Sequence, residues 1–209
     1  WSPDGERLVV AARRSGSHAD LFLVEPTGET RQLTDGPGDE LAPSWSRDGE
    51  WIYFASPRDP DGAWQIYRMP TAGGDAQAIT RYGGVAAMEA LDGSLLIVRP
   101  DDAGLWRLPL GADGLPRDTD VTRLRVNLAP ADWANWIVDG AWVYALERRV
   151  DGTAAIVRVE TGRNEREEIA SLGDIPDQPG LGVLPGGERV FLTQIERGDS
   201  DIAYVPDFR

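Results

Sequence analysis

The 209-residue sequence has no cysteine, one histidine and two methionines. Without cysteine there are no disulfides and no thiol chemistry, a lack equally compatible with cytoplasm and periplasm. With His18 the sole histidine, the side chains that most often do acid–base, nucleophilic and metal chemistry are nearly missing. No run approaches the roughly 18 consecutive apolar residues of a membrane span. An initiating Met, a basic leader and an apolar signal core are also lacking, which predicts further chain upstream of Trp1 and leaves the compartment open. No helical period is sustained, and 24 Gly with 15 Pro would interrupt any long helix.

Basic residues are scarce relative to acidic ones: 21 against 35, a net charge of −14. Such a surface repels phosphate backbones, so no direct nucleic-acid binding by this segment is expected. The excess acid suits a large β-rich surface that must stay soluble. Apolar residues at 41% and charged residues at 27% are ordinary for a globular chain long enough to bury a sizeable core.

What is present is a repeat. Trp1–Gly5 reads WSPDG and Trp45–Gly49 reads WSRDG. Asp-Gly supplies a bend in which Gly tolerates a left-handed conformation, a strong hairpin signal between apolar runs. The pairs Asp4-Gly5, Asp48-Gly49, Asp92-Gly93 and Asp139-Gly140, with Gly186-Gly187 in fifth place, follow one another at offsets of 44, 44, 47 and 47 residues. After each comes a β-rich run: RLVVAA, EWIYFA, SLLIVR, AWVYAL, ERVFLT. A second follows (DLFLVE, QIYRMP, LWRLPL, AIVRVE, DIAYVP), and four times a brief third (RQLT, QAIT, DVTRL, EEIA). The stretch before each Asp-Gly, for example ELAPSWS, supplies a fourth strand.

Four short strands per ~44 residues predict an all-β chain of propeller blades, each burying its faces against its neighbours. The repeats fall at about 1–40, 41–84, 85–128, 129–175 and 176–209, with the first blade short of its innermost strand and the last short of its outermost. Trp45 is expected to end an innermost strand and fill the space between blades. Counting three residues back from each turn puts Trp136, Glu89 and Val183 in the same place in the fourth, third and fifth repeats.

The pattern P-x-W-S-x-D-G at Pro43–Gly49, followed by I-Y-x-x and L-T, resembles the TolB-type (WD-like) β-propeller repeat over essentially the whole chain. The third to fifth repeats and the ending SDIAYVPDFR resemble the C-terminal propeller of bacterial winged-helix (CadC-like) transcriptional regulators. That resemblance implies a natural C-terminus, a cut N-terminus with further blades upstream, and a sensory or interaction role.

In such a propeller the Asp-Gly turns and the turns between third and fourth strands share one face and are short. The longer links, residues 13–20, 35–42, 56–64, 81–88, 99–104, 125–135, 147–154, 171–182 and 194–200, share the other, where function is expected. Arginine followed shortly by acid recurs in these links: Arg13 and Arg14 before Asp20, Arg58 before Asp59, Arg99 before Asp101, Arg148 and Arg149 before Asp151, Arg197 before Asp199. Recurrence in every repeat favours arginines that tie loops or neighbouring blades through carboxylates over a ligand-binding ring of charge.

Neither DPDG at 59–62 nor DSD at 199–201 offers the ordered oxygens of a calcium loop. Ser17, His18 and Asp20 carry the letters of a catalytic triad, but neighbours on one loop seldom form one, and no G-x-S-x-G elbow exists. No catalytic, cofactor or metal residue is therefore assigned. Trp133, off the repeat register, with Asp132 beside it, and Tyr82 are the candidate partner contacts. The expected function is a non-catalytic propeller that binds a protein or small polar ligand on its long-link face. The alternatives are the accessory propeller of a prolyl-oligopeptidase-type serine peptidase and a periplasmic TolB-like protein.

Overall fold

The computed structural model describes residues 1–14, 18–117, 121–174, 180–196 and 199–204. It is an all-β propeller of five antiparallel sheets, or blades. The first holds β1 (Leu8–Arg13), β2 (Ala19–Val24) and β3 (Thr30–Gln32). The second holds β4 (Leu41–Trp45), β5 (Trp51–Ser56), β6 (Gln65–Pro70) and β7 (Gln77–Ala78). The third holds β8 (Ala86–Glu89), β9 (Leu95–Val98), β10 (Leu105–Leu108) and β11 (Thr122–Arg123). The fourth holds β12 (Trp136–Asp139), β13 (Trp142–Arg148), β14 (Thr153–Glu160) and β15 (Arg166–Asp174). The fifth holds β16 (Leu181–Val183), β17 (Val190–Glu196) and β18 (Asp199–Tyr204). As the repeat predicts, the first and last blades each show three strands among the described residues. The inner strands β4, β8, β12 and β16 neighbour one another in that order around the axis.

Strand periodicity explains why the blades stack. Successive side chains point to opposite faces, so each strand feeds two interfaces. In β5, Ile52 and Phe54 pack with Val9, Leu21 and Leu23 of the first blade. Tyr53 and Ala55, between and beyond them, pack with Ala87, Leu95 and Ile97 of the third. The same alternation joins Leu96 and Val98 to Val143 and Ala145, and then Tyr144 and Leu146 to Val190 and Leu192. Each core cluster is thus an interface between blades.

The Asp-Gly turns have the expected chemistry. Asp48 accepts from the Ser46 hydroxyl and from the Glu50 amide at 2.9 Å, while Ser46 Oγ accepts from the Trp51 amide at 2.9 Å. Gly49 sits at φ +73°. Asp4 repeats these contacts with Ser2 and Glu6.

Two expectations need correction. Trp45 pairs with Ile52 across residues 46–51, and Val183 pairs with Val190 across 184–189, as the repeat count requires. In the fourth blade, however, Asp139 is still in the strand and pairs with Trp142, so Gly140 and Ala141 alone make the turn. The residue facing Val143, the counterpart of Ile52, is therefore Val138. Trp136 lies two residues further from the turn, opposite Ala145, buried in the interface between the third and fourth blades. Its interblade role stands, but in a different place.

The second correction concerns the turn face. The link between β10 and β11 runs over residues 109–121, far longer than its counterparts. It carries the Leu110–Pro116 bridge, and the carbonyls of Asp113 and Gly114 accept from Arg68 of the second blade at 2.8 Å each.

Candidate binding face

Four arginines of the long links pair with carboxylates other than the acids that follow them closely in sequence. Arg13 makes two bonds of 2.8 Å to Asp39, Arg58 pairs with the buried Glu40, Arg148 with Asp132 at 2.8 Å, and Arg149 with Glu168 at 2.5 Å. The links also carry stacking that the sequence pattern did not announce. Arg14, Arg58 and Arg99 lie over Phe22, Tyr67 and Trp106, the aromatic of the second, sixth and tenth strands, at 5.1, 4.9 and 4.6 Å from the ring centroid. The fourth blade has Val157 at that place, opposite Ala145, and there Arg148 and Arg149 turn to carboxylates instead. Arg197 lies outside the described residues.

Where the inner strands begin, this face has an apolar crevice of about 260 Å³ lined by Leu41, Trp64, Val85, Pro100 and Trp133. These residues come from the links and strand starts of three blades. Gly83 and Gly84 set the approach. Gly83 has φ +90°, and a Cβ on Gly84 would stand 2.5 Å from the Ile66 side chain, so the 79–85 link lies directly against the start of β6. The Gly84 amide donates to the Trp64 carbonyl at 2.9 Å, which holds Trp64 beside Val85.

Trp133 is fixed by the residue before it. Pro130–Asp132 form a single 3-10 turn. Asp132 is 1% exposed. Its Oδ2 accepts from Arg148 Nε at 2.8 Å and its Oδ1 from Asn135 Nδ2 at 3.0 Å. The Trp133 carbonyl accepts from Trp136 Nε1 at 2.8 Å, leaving the half-buried Trp133 ring to line the crevice. Asp132 therefore lies beneath the surface and anchors the tryptophan. Tyr82 is 76% exposed, but it stands at a different cavity, between the second and third blades. The two aromatic candidates are not brought together in one pocket. Trp64 and Pro100, which the sequence reading passed over, are; off-register aromatics in other links were the available signal.

Among the described residues the crevice lining contains no titratable group, so it offers contact area rather than acid–base chemistry. Among the described triad letters, His18 and Asp20 each meet a different residue. His18 Nδ1 faces Asp39 at 3.7 Å, Asp20 accepts from Gln32, and Ser17 lies outside the described residues. In DPDG, Asp61 accepts from the Ala63 amide and the Gly62 amide donates to the Asp59 carbonyl, an ordinary turn. Among the described residues no group of three His, Cys, Asp or Glu could hold a metal ion. The side chains of Asp199 and Asp201 lie outside the described ones.

Against known families, the TolB beta propeller domain (PD40) matches residues 1–109, more than half of the chain. The chain belongs to this family. An uncharacterized protein, Atu1656 of Agrobacterium fabrum, is 32% identical over 138 residues, covering 65% of this chain and 43% of that protein. Dipeptidyl-peptidase 5 of Porphyromonas endodontalis is 24% identical over 216 residues, covering 99% of this chain and 27% of the peptidase. The crystal structure of TolB from Acinetobacter baumannii superposes with a TM-score of 0.78 at 17% identity, over 98% of this chain and 50% of that one. The chain thus spans less than half the length of these curated relatives.

Proposed function

We propose that this TolB-type propeller is a non-catalytic binding module that captures a protein segment on its long-link face, with an apolar side chain of the partner seated between Trp64 and Trp133. The observation that carries the reading is the crevice itself, two tryptophans converging from different blades at the mouth of the axis, with no titratable group among the described lining residues. Aromatic anchors of this kind commonly dominate interface energetics. The rigid blades beneath hold the links in place, as binding loops require. Selection of displayed peptides on the purified protein, followed by affinity measurement, tests this. Enriched peptides should share an apolar anchor and bind Trp64→Ala and Trp133→Ala at least tenfold more weakly. Turnover of peptide, ester or uronate substrates by the purified protein would contradict the non-catalytic part.

A second reading has a specific observation in its favour. Nearly the whole chain aligns with a stretch that makes up 27% of a dipeptidyl-peptidase, which suits the accessory propeller of a serine peptidase. In that setting the same crevice would touch substrate on its way to a separate hydrolase domain. The coding sequence flanking the 209 residues discriminates, since a hydrolase domain there supports the peptidase setting. The sequence-based reading as the interaction part of a winged-helix regulator rests on that resemblance alone, because none of the relatives described above is named as a regulator.

A further inference from the structure

The cavity that Tyr82 borders has no part in the mouth crevice and a different chemistry. It has a volume of about 420 Å³ and opens between the second and third blades. Ile97, Leu108 and Leu115 give it apolar walls. Its charged lining among the described residues is Arg81 and Arg99, in a chain whose net charge is −14. Arg13, Arg58, Arg148 and Arg149 each have a carboxylate partner. Arg99 instead lies over Trp106 at 4.6 Å. Its Nε is buried without a partner, and so is Trp106 Nε1. Both are donors. Arg123 approaches the same indole ring at 6.0 Å, adding a third positive charge nearby.

The wall that bears Arg81 and Tyr82 is built in advance. Gln65 Oε1 accepts from Thr80 Oγ1 at 2.8 Å and from the Gly83 amide at 3.0 Å, and Thr80 Oγ1 accepts from the Ile66 amide at 2.9 Å. The cleft therefore needs little ordering to receive a ligand.

We infer that this cleft is a binding site for a small organic carboxylate carried on an apolar body. The guanidinium fork of Arg99 suits a planar carboxylate, and stacking on Trp106 holds that fork in place. The aliphatic walls take the rest of the molecule, in the usual pattern of an apolar pocket with a few fixed polar groups. A polyanion such as a nucleotide fits less well, because the chain's overall charge repels it while the walls offer its phosphates nothing.

The site does not depend on the partner reading of the mouth crevice, and its test uses different residues. The probes are 4-phenylbutyrate and its neutral isostere 4-phenylbutyramide, titrated into the purified protein by calorimetry and ligand-observed NMR. The carboxylate should bind and the amide should bind at least tenfold more weakly. Arg99→Gln should weaken the carboxylate at least tenfold without changing the amide. Ala78→Trp, at an exposed position on the lining, should block both while unfolding at the parental temperature. Equal binding of the two probes, unchanged affinity in Arg99→Gln, or no binding of either probe at 10-fold excess over millimolar protein would each overturn the assignment.

Discussion

Asp132 and Arg148 meet at 2.8 Å, with the carboxylate buried and the guanidinium partly exposed. This pair joins the start of the fourth blade's inner strand to the end of its second, and so fixes the turn that presents Trp133. Removing the cation strands a buried charge. Arg148→Leu should therefore cost about 3 kcal/mol, and Asp132→Asn, which keeps hydrogen bonding, about 1 kcal/mol. Urea denaturation of both variants checks the order; equal losses would place the pair at the surface.

Gly49 tests the repeated turn. Its φ of +73° lies in the left-handed region, and an added Cβ would meet Pro3 only at ordinary contact distance, 3.7 Å. The cost of Gly49→Ala is thus backbone strain alone, on the order of 1 kcal/mol, with binding unchanged. Thermal unfolding reads it.

Glu89 occupies the place that Trp45 fills in the preceding blade, and burial raises its pKa above the ordinary value. The opposing contacts are long, 3.3 Å to the Arg47 amide and 3.5 Å to the Tyr53 hydroxyl. A raised carboxyl pKa means the folded state holds the proton more tightly. Its contribution therefore weakens as pH rises from the ordinary glutamate value of about 4.3 through the folded value. Glu89→Gln should unfold at a higher temperature than the parent at pH 7, and the two should converge near pH 4. Asp48, whose pKa is lowered chiefly by the Ser46 hydroxyl, loses its contribution on acidification in both proteins, and its charge is one of those that raise Glu89. A constant difference across this range would mean that Glu89 is solvated.

The blades were legible because the information is local. An Asp-Gly turn, two alternating strands and a buried interface repeat every ~44 residues, so Trp45, Ile52 and Phe54 can be placed by counting. Counting fails where turn length changes. The two-residue turn at Gly140 and Ala141 moves Val138 into the place assigned to Trp136, and the long 109–121 link breaks the sameness of the turn face. The site was harder still. Trp133 stands out by being off the repeat, whereas Trp64 joins it only because Gly83 and Gly84 bring the next link against β6. Asp132 looked like a surface partner of Trp133 and is its buried anchor, since Arg148 is sixteen residues away in sequence.

The most direct measurement is the affinity of one selected peptide for the parent, for Trp133→Ala and for Arg99→Gln, with unfolding temperatures recorded alongside. Trp133→Ala keeps the backbone carbonyl that accepts from Trp136, so that anchoring bond survives loss of the ring. The account predicts at least a tenfold loss of affinity in Trp133→Ala, a near-parental unfolding temperature, and no loss in Arg99→Gln. Parental affinity in Trp133→Ala with a large fall in its unfolding temperature would contradict it, making Trp133 a core residue.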